Sequence, residues 1–248
     1  MSACNLVVLT GLIFLTGVAA LSAMAAAVID RSGAGVDWVS RAWGRLMLRM
    51  AGVDLEVSGY ENVDPGRSYI IISNHSSHFD VPTMFAALPD LQVRYLAKKE
   101  LLKIPIFGHA LIMAGHIMID RSDREKAIES MRAARERILA GTSVSFFAEG
   151  TRSRDGRLGL FKKGGFMVAL ETGVPLLPLT IVGGWRVHHR DTWKITRGET
   201  IRVIVHPPVE PAGFSLETRE ALMETVRKAI AGGLEDGAPS QDRCATSN

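Results

Sequence analysis

Cysteine is nearly absent from this chain. Among 248 residues only Cys4 and Cys244 carry thiols, and they sit at opposite ends, so no disulfide framework holds the fold. Such a chain suits a reducing compartment, or ignores oxidation. Aromatic residues make up only 6%, and they are not interleaved with basic ones. With no nucleic-acid-binding motif present, the net charge of +3 and a pI near 9.0 point to an anionic membrane surface or a phosphorylated substrate, with no nucleic acid among the partners. No Cys–His spacing of a metal-binding kind occurs, so neither a metal nor any other cofactor is expected. Internal repeats are missing as well.

Charge is missing from one long stretch. Between Asn5 and Ile29 there is no ionisable residue, and the apolar run LVVLTGLIFLTGVAALSAMAAAVI exceeds the roughly 20 residues that span a bilayer. A cleaved signal peptide would need a basic start, which Met1–Asn5 lacks. A buried core helix would be shorter and more punctuated. The run reads as a membrane anchor. Arg31, Arg41, Arg45 and Arg49 follow it, so the positive-inside rule places the rest of the chain at the cytoplasmic face of the inner (cell) membrane. Residues 36–50 form an amphipathic pattern with Val39, Trp43, Leu46 and Met50 on one stripe and the three later arginines on another. This predicts a helix lying in the membrane interface. The expected division is an anchoring region over 1–52, a domain over 53–234, and a polar, disordered tail over 235–248.

From Val53 onward short apolar runs alternate with helical stretches. Strands are predicted at 53–58, 68–73, 92–97, 116–119, 143–148, 176–182 and 200–206, and helices at 80–88, 104–114, 123–139, 163–172 and 215–233. This alternation predicts an α/β domain with a mainly parallel central sheet flanked by helices. Polar side chains in such a sheet gather where strands end and lead into helices.

Two clusters occupy such places. NHSSHFD, residues 74–80, packs two histidines and an aspartate behind an apolar run. An aspartate accepting from one imidazole N–H leaves the other nitrogen free as a base, and it stabilises the imidazolium that follows. The pair has no nucleophile of its own, so the substrate must bring one, and an alcohol is the natural candidate. His75, His78 and Asp80 as part of a metal site, or as mere turn residues, are the competing readings. The second cluster, EGTRSRDGRLGLFKKGG (149–165), collects donors suited to phosphate: Gly150, Thr151 and Arg152 in the loop, then Lys162 and Lys163 at a helix start. Arg154 and Arg157 read as solvated. Glu149 is out of place beside an anion, and is expected to orient Thr151, Arg152 or the loop backbone. Between the clusters, the apolar stretch LLKIPIFGHALIM is core, an acyl-chain groove or a bilayer contact.

These residues resemble the glycerolipid acyltransferases. His75-Ser-Ser-His-Phe-Asp80 matches their HxxxxD motif, in the NHxSxxD form common among 1-acylglycerol-3-phosphate acyltransferases. Lys98-Lys99-Glu100-Leu101 through Pro105, Gly108, Gly115 and Ile119-Asp120-Arg121 resembles the second block. Phe147 to Ser153 with Phe161-Lys162-Lys163-Gly164 resembles the third, and Val174-Pro175-Leu176-Leu177-Pro178-Leu179 the fourth. HxxxxD alone is a weak signal; four blocks in order over residues 70–184 are a strong one.

The resemblance implies a membrane-attached O-acyltransferase. His75 would deprotonate the free hydroxyl of a lysophospholipid, Asp80 would hold the imidazole, and the alkoxide would attack the thioester of acyl-CoA or acyl-carrier protein. Glu149, Gly150, Thr151, Arg152 and Arg121 would bind the acceptor, its phosphate above all. Lys98, Lys99 or Lys162 would face a phosphate or the oxyanion. The implied product is phosphatidic acid. Related families acylate other lysolipids, such as lyso-ornithine lipid. A non-catalytic lipid-binding protein and a metal-dependent hydrolase stand as readings from other classes.

Overall fold

The computed structural model describes residues 3–120 and 123–236. Arg121, Cys244 and nearly all of the polar tail fall outside the described residues. The chain begins with a hairpin of helices, α1 (Ala3–Ile29) and α2 (Ala34–Ala51). Alternating elements follow: β1 (Asp54–Ser58), β2 (Ile70–Ser73), α3 (Asp80–Ala87), β3 (Val93–Lys98), α4 (Phe107–Met113), β4 (Ile117–Ile119), α5 (Arg124–Leu139), β5 (Ser143–Phe147), α6 (Gly164–Thr172), β6 (Leu176–Val182), a short α7 (Gly184–Val187), β7 (Thr200–Val205) and α8 (Arg219–Asp236).

The strands form one sheet in the order β1-β7-β6-β2-β5-β3-β4. All described pairings are parallel except β6–β7, so β1 and β7 run against the other five. Central β2 lies between β5 and β6, and the connection from β5 through α6 to β6 passes over it. Ser73 is in register with Phe147 on one side and Leu179 on the other, so β2, β5 and β6 end side by side. Helices cover both faces. Ile71 packs toward α2 and α3, while Ile70 and Ile72 pack toward α5, α6 and α8. A strand buried on both faces needs no polar alternation, which is why β2 reads as an unbroken apolar run.

Two of the contacts from α2 that fasten the helical hairpin to this domain lie at its start and its middle. Arg94 of β3 makes a buried ion pair with Asp37 of α2. Gly44 of α2 lies so near α3 that a Cβ there would stand 2.4 Å from the Pro82 carbonyl oxygen. Of the stripe predicted for α2, Leu46 and Met50 are exposed, but Trp43 is not on the outside. The buried residues of the helix are Val36, Asp37, Gly44, Leu48 and Ala51, and Trp43 points inward, stacking edge-on against Phe85 and donating from Nε1 to Thr16 Oγ1 at 3.2 Å. Trp38 is the exposed tryptophan of this helix. The apolar stretch after β3 is largely not core: Leu102, Ile104, Ile106, Ile112 and Met113 are each between 38% and 53% exposed.

His116, just before β4, shows how burial and hydrogen bonding fix a protonation state. Its Nδ1 accepts from the Tyr95 backbone N–H at 3.0 Å, which requires that nitrogen to be unprotonated. Burial, then Arg94 and Arg137, pushes its pKa down to about 3. Between that value and the ordinary histidine pKa of about 6.5 the unfolded chain binds a proton that the folded chain refuses, so stability falls as pH drops through this window. His116→Asn keeps an acceptor and removes the titration. From pH 7 to pH 5 the wild type is expected to lose about 2 kcal/mol more than this variant in urea unfolding. Parallel losses would show that His116 titrates freely in the folded state.

Candidate active site

Residues 74–80 leave the carboxyl end of β2 and turn into α3. Asn74 sets the direction of departure: its side chain donates to Ile181 O at 2.8 Å and accepts from Ile181 N at 2.8 Å, extending the β2–β6 ladder by a side chain. Asp80, at the first position of α3, is fully buried and swings back over the turn. Its Oδ2 accepts from His75 Nδ1 at 2.7 Å and from the Ser76 and Ser77 backbone N–H groups at 2.6 and 2.8 Å. A carboxylate in that position can only accept, so Nδ1 carries the proton and Nε2 is left as the basic nitrogen. The His75 ring stacks on Phe147, the last residue of β5, with centroids 3.8 Å apart and planes 13° from parallel. Its side chain keeps 17% of its surface open. Ser76 and Ser77 are buried, and the Ser77 hydroxyl donates to His188 O at 3.1 Å.

The second cluster follows β5 and wraps onto the first. Ser153 N donates to the His75 carbonyl at 2.7 Å, which fixes the loop 149–153 across the turn. Gly150 takes φ 68°, a left-handed conformation that closes the loop onto Phe147 O. Glu149 does not turn toward Thr151 or Arg152. Its Oε1 accepts from the His75 backbone N–H at 3.3 Å, and its other oxygen lies against Gly159, so it struts the histidine's own backbone. Burial raises the Glu149 pKa above the ordinary carboxylate range, against the pull of those N–H groups. Arg152 is partly buried, and its Nη1 is enclosed without an acceptor. Burial, then the neighbouring Arg190, lowers its pKa. Thr151 is exposed, as are Arg154 and Arg157, which lie beside Asp191 and Asp155.

Lys99 pairs with Asp120, Lys98 lies 3.4 Å from Glu100, and the Lys162 side chain is exposed next to α6. Arg121 lies outside the described residues. His75, His78 and Asp80 do not form a ligand set: the His75–Asp80 contact is a hydrogen bond, and the His78 ring faces His188 at 5.3 Å.

A base oriented by a buried carboxylate, beside a partly enclosed guanidinium, is an arrangement for activating a hydroxyl on an anionic substrate. Known proteins share its frame. The signature of the acyltransferase family matches residues 54–182, more than half of the chain. The chain belongs to this family. It is 31% identical over 195 residues to a 1-acyl-sn-glycerol-3-phosphate acyltransferase of Borreliella burgdorferi, covering 79% of this chain and 77% of that protein. A chloroplastic 1-acyl-sn-glycerol-3-phosphate acyltransferase of Brassica napus is 34% identical over 167 residues, covering 67% of this chain and 48% of the relative. The chain spans about half the length of such plant and algal relatives. In the crystal structure of the 1-acyl-sn-glycerophosphate acyltransferase PlsC from Thermotoga maritima the fold recurs with a TM-score of 0.81 and 28% identity, covering 94% of this chain and 95% of that one.

Within this acyltransferase-family site, several contacts had no counterpart in the sequence reading. Gly184, at the start of α7, touches Asp80: a Cβ there would stand 2.4 Å from Oδ1. Arg227 of α8 donates to Gly159 O at 2.5 Å and lies over Phe161, clamping the loop that holds Glu149. His188 and Arg190 reach the site from the segment after β6.

Proposed function

We propose that this chain moves a fatty acyl group from acyl-CoA or acyl-carrier protein to the free hydroxyl of 1-acyl-sn-glycerol-3-phosphate, forming phosphatidic acid. The observation carrying this reading is the His75–Asp80 pair, held with Nε2 as the base while the neighbouring Ser77 hydroxyl is engaged by the His188 carbonyl. His75 Nε2 takes the hydroxyl proton as the oxygen attacks the thioester carbonyl. The tetrahedral intermediate collapses to the ester, and the leaving thiolate takes up the proton, so no acyl-enzyme forms. A positioned base supplies about 10²–10⁴-fold, and alignment of the two substrates supplies much of the rest. Arg152 reads the acceptor phosphate, with Gly150 and Thr151 in the same loop. Glu149 serves by holding the His75 backbone. Lys98, Lys99, Lys162 and Arg121 lie in the second rank of candidates for substrate contact.

The bilayer is the proposed home of this reaction. Helix α1 exposes Leu6, Val7, Ile13, Phe14, Leu21, Val28 and Ile29, and only 17% of its most apolar window is buried. Its 27 residues measure about 40 Å, enough to cross the hydrocarbon. Its Thr16 and Ala26 contact α2, and Asn5 near its start bonds to Trp193 of the domain, which favours a helix held beside the domain and dipping into the cytoplasmic leaflet.

Detergent-purified protein incubated with palmitoyl-CoA and lysophosphatidic acid should release thiol and form phosphatidic acid in equal amounts. Arg152→Gln should raise the lysophosphatidic acid KM by roughly 10- to 100-fold, the effect of losing a charge-assisted contact to phosphate. Preference for lyso-ornithine lipid over lysophosphatidic acid in a lysolipid panel would reassign the acceptor. Thiol release without lipid product would make this a thioester hydrolase.

A further inference from the structure

Beyond Arg152, the site holds basic side chains that the mechanism has not used. The segment after α7 returns to the HxxxxD turn, where the His188 carbonyl is gripped by Ser77 Oγ. The His188 side chain is 7% exposed, and its Nδ1 is enclosed without a partner. Its ring lies 5.3 Å from that of His78. Two residues on, Arg190 Nη1 donates to the Arg152 backbone carbonyl at 2.6 Å, and its charge acts on the Arg152 guanidinium. Arg152, Arg190, His78 and His188 thus converge from three loops.

Beside burial, mutual repulsion acts on Arg152, His188 and His78. Burial and then Arg152 hold the His188 pKa down. His78 keeps one side of its ring to solvent, yet burial of the other side, then Arg152 and His188, lowers it to about 4. The nearby carboxylates leave little for these groups. Asp80 Oδ2 is filled by three N–H groups and its Oδ1 lies against Gly184, while half-exposed Asp191 lies 3.6 Å from Arg190 and 3.8 Å from Arg154. Four groups able to carry positive charge, two with enclosed nitrogens that meet no acceptor, make a pocket that a phosphate dianion would relieve.

We propose that His188 and Arg190 complete, with Arg152 and His78, the binding pocket for the acceptor's phosphomonoester. The proposal rests on the acyl-transfer reading above and deepens it. In a 1-acylglycerol 3-phosphate the reacting hydroxyl and the phosphorus are separated only by two carbons and an ester oxygen. Base and anion pocket must therefore be neighbours. Ser77 meets that demand, since it is two residues from His75 and holds His188 in place.

The test measures initial rates at saturating palmitoyl-CoA with lysophosphatidic acid and with lysophosphatidylcholine, whose phosphate is a diester, and inhibition by glycerol 3-phosphate. Arg190→Gln and His188→Asn should raise the lysophosphatidic acid KM by roughly 10- to 100-fold, with kcat and the donor KM little changed. Discrimination between the two lysolipids should fall by the same factor, and glycerol 3-phosphate should lose potency. Arg190→Lys should recover part of the loss. His188 is buried, so its variant is scored only if it keeps the wild-type melting temperature; Arg190, 28% exposed, decides the matter otherwise. Unchanged lysolipid discrimination in Arg190→Gln overturns the proposal, whether KM stays put or every rate falls together. A wild type that makes no phosphatidic acid overturns the acyl-transfer reading, and this inference with it.

Discussion

His75→Ala is expected to lower kcat for phosphatidic acid formation by about 10³-fold or more while leaving the melting temperature within a few degrees of wild type. The ring stacks on Phe147 and is held by one carboxylate, but it is partly open, so its removal leaves little cavity in the core. The chemistry has no substitute. Ser76 and Ser77 are buried, and His78 is held largely neutral by its surroundings but faces His188, on the side of the proposed phosphate pocket. Asp80→Asn probes the same step differently. The amide keeps the volume and one acceptor oxygen, yet the imidazolium formed on proton transfer loses its counter-charge, and the N–H groups of Ser76 and Ser77 lose theirs. It should cost about 10²-fold or more in kcat with little change in either KM. Steady-state rates with both substrates saturating read these effects. A His75→Ala protein within tenfold of wild type would place the base elsewhere.

Gly184→Ala should be nearly as damaging, although residue 184 touches no substrate in the proposed mechanism. A methyl there would stand 2.4 Å from Asp80 Oδ1, 3.1 Å from Ser76 Oγ and 3.2 Å from Ser77 Cβ. Nothing in that contact can yield cheaply. Asp80 is anchored at the start of α3, which is clamped in turn by Gly44 of α2. Overpacking of this kind costs about 1–3 kcal/mol of stability. The larger effect is on geometry: a carboxylate displaced by even an ångström releases the His75 tautomer, and kcat should fall about 10²-fold. Gly232→Ala is the control, since a Cβ at that helical position meets nothing within 4 Å, and a small gain in stability is expected. Melting curves and kcat for the two variants separate the effects. If Gly184→Ala turns over like wild type, Asp80 is positioned by its N–H contacts alone.

The contrast between these residues shows what could be read from sequence. His75 and Asp80 are five apart across a strand-to-helix turn, so their meeting follows from local geometry. Strand positions were legible for the same reason, because apolar runs between turn signals mark each segment by itself. Direction was not: β7 runs antiparallel to β6, and which way a strand lies depends on a long return through residues 183–199. Glu149 meets one of its expected partners, the loop backbone at Gly159, but its second partner, the His75 N–H, is 74 residues away and left no mark in the local sequence. Trp43 was assigned to the lipid interface on an arginine-rich helix, whereas Thr16 and Phe85 draw it inside. Gly184 had no local signal at all. Its importance lies in what it leaves room for.

Asn5 has a consequence of another kind. Near the start of α1 its side chain donates to Trp193 O at 2.9 Å and accepts from Ile195 N at 2.9 Å. That segment continues directly from Arg190, so the apolar helix α1 and the proposed phosphate loop are one mechanical piece. With α1 in the bilayer, as proposed, the acceptor would arrive by lateral diffusion in a plane. The rate should then follow the mole fraction of substrate in the surface rather than the bulk concentration. Diluting lysophosphatidic acid with inert lipid or detergent at constant total amount should therefore slow the reaction, even though every molecule of substrate is still in the tube.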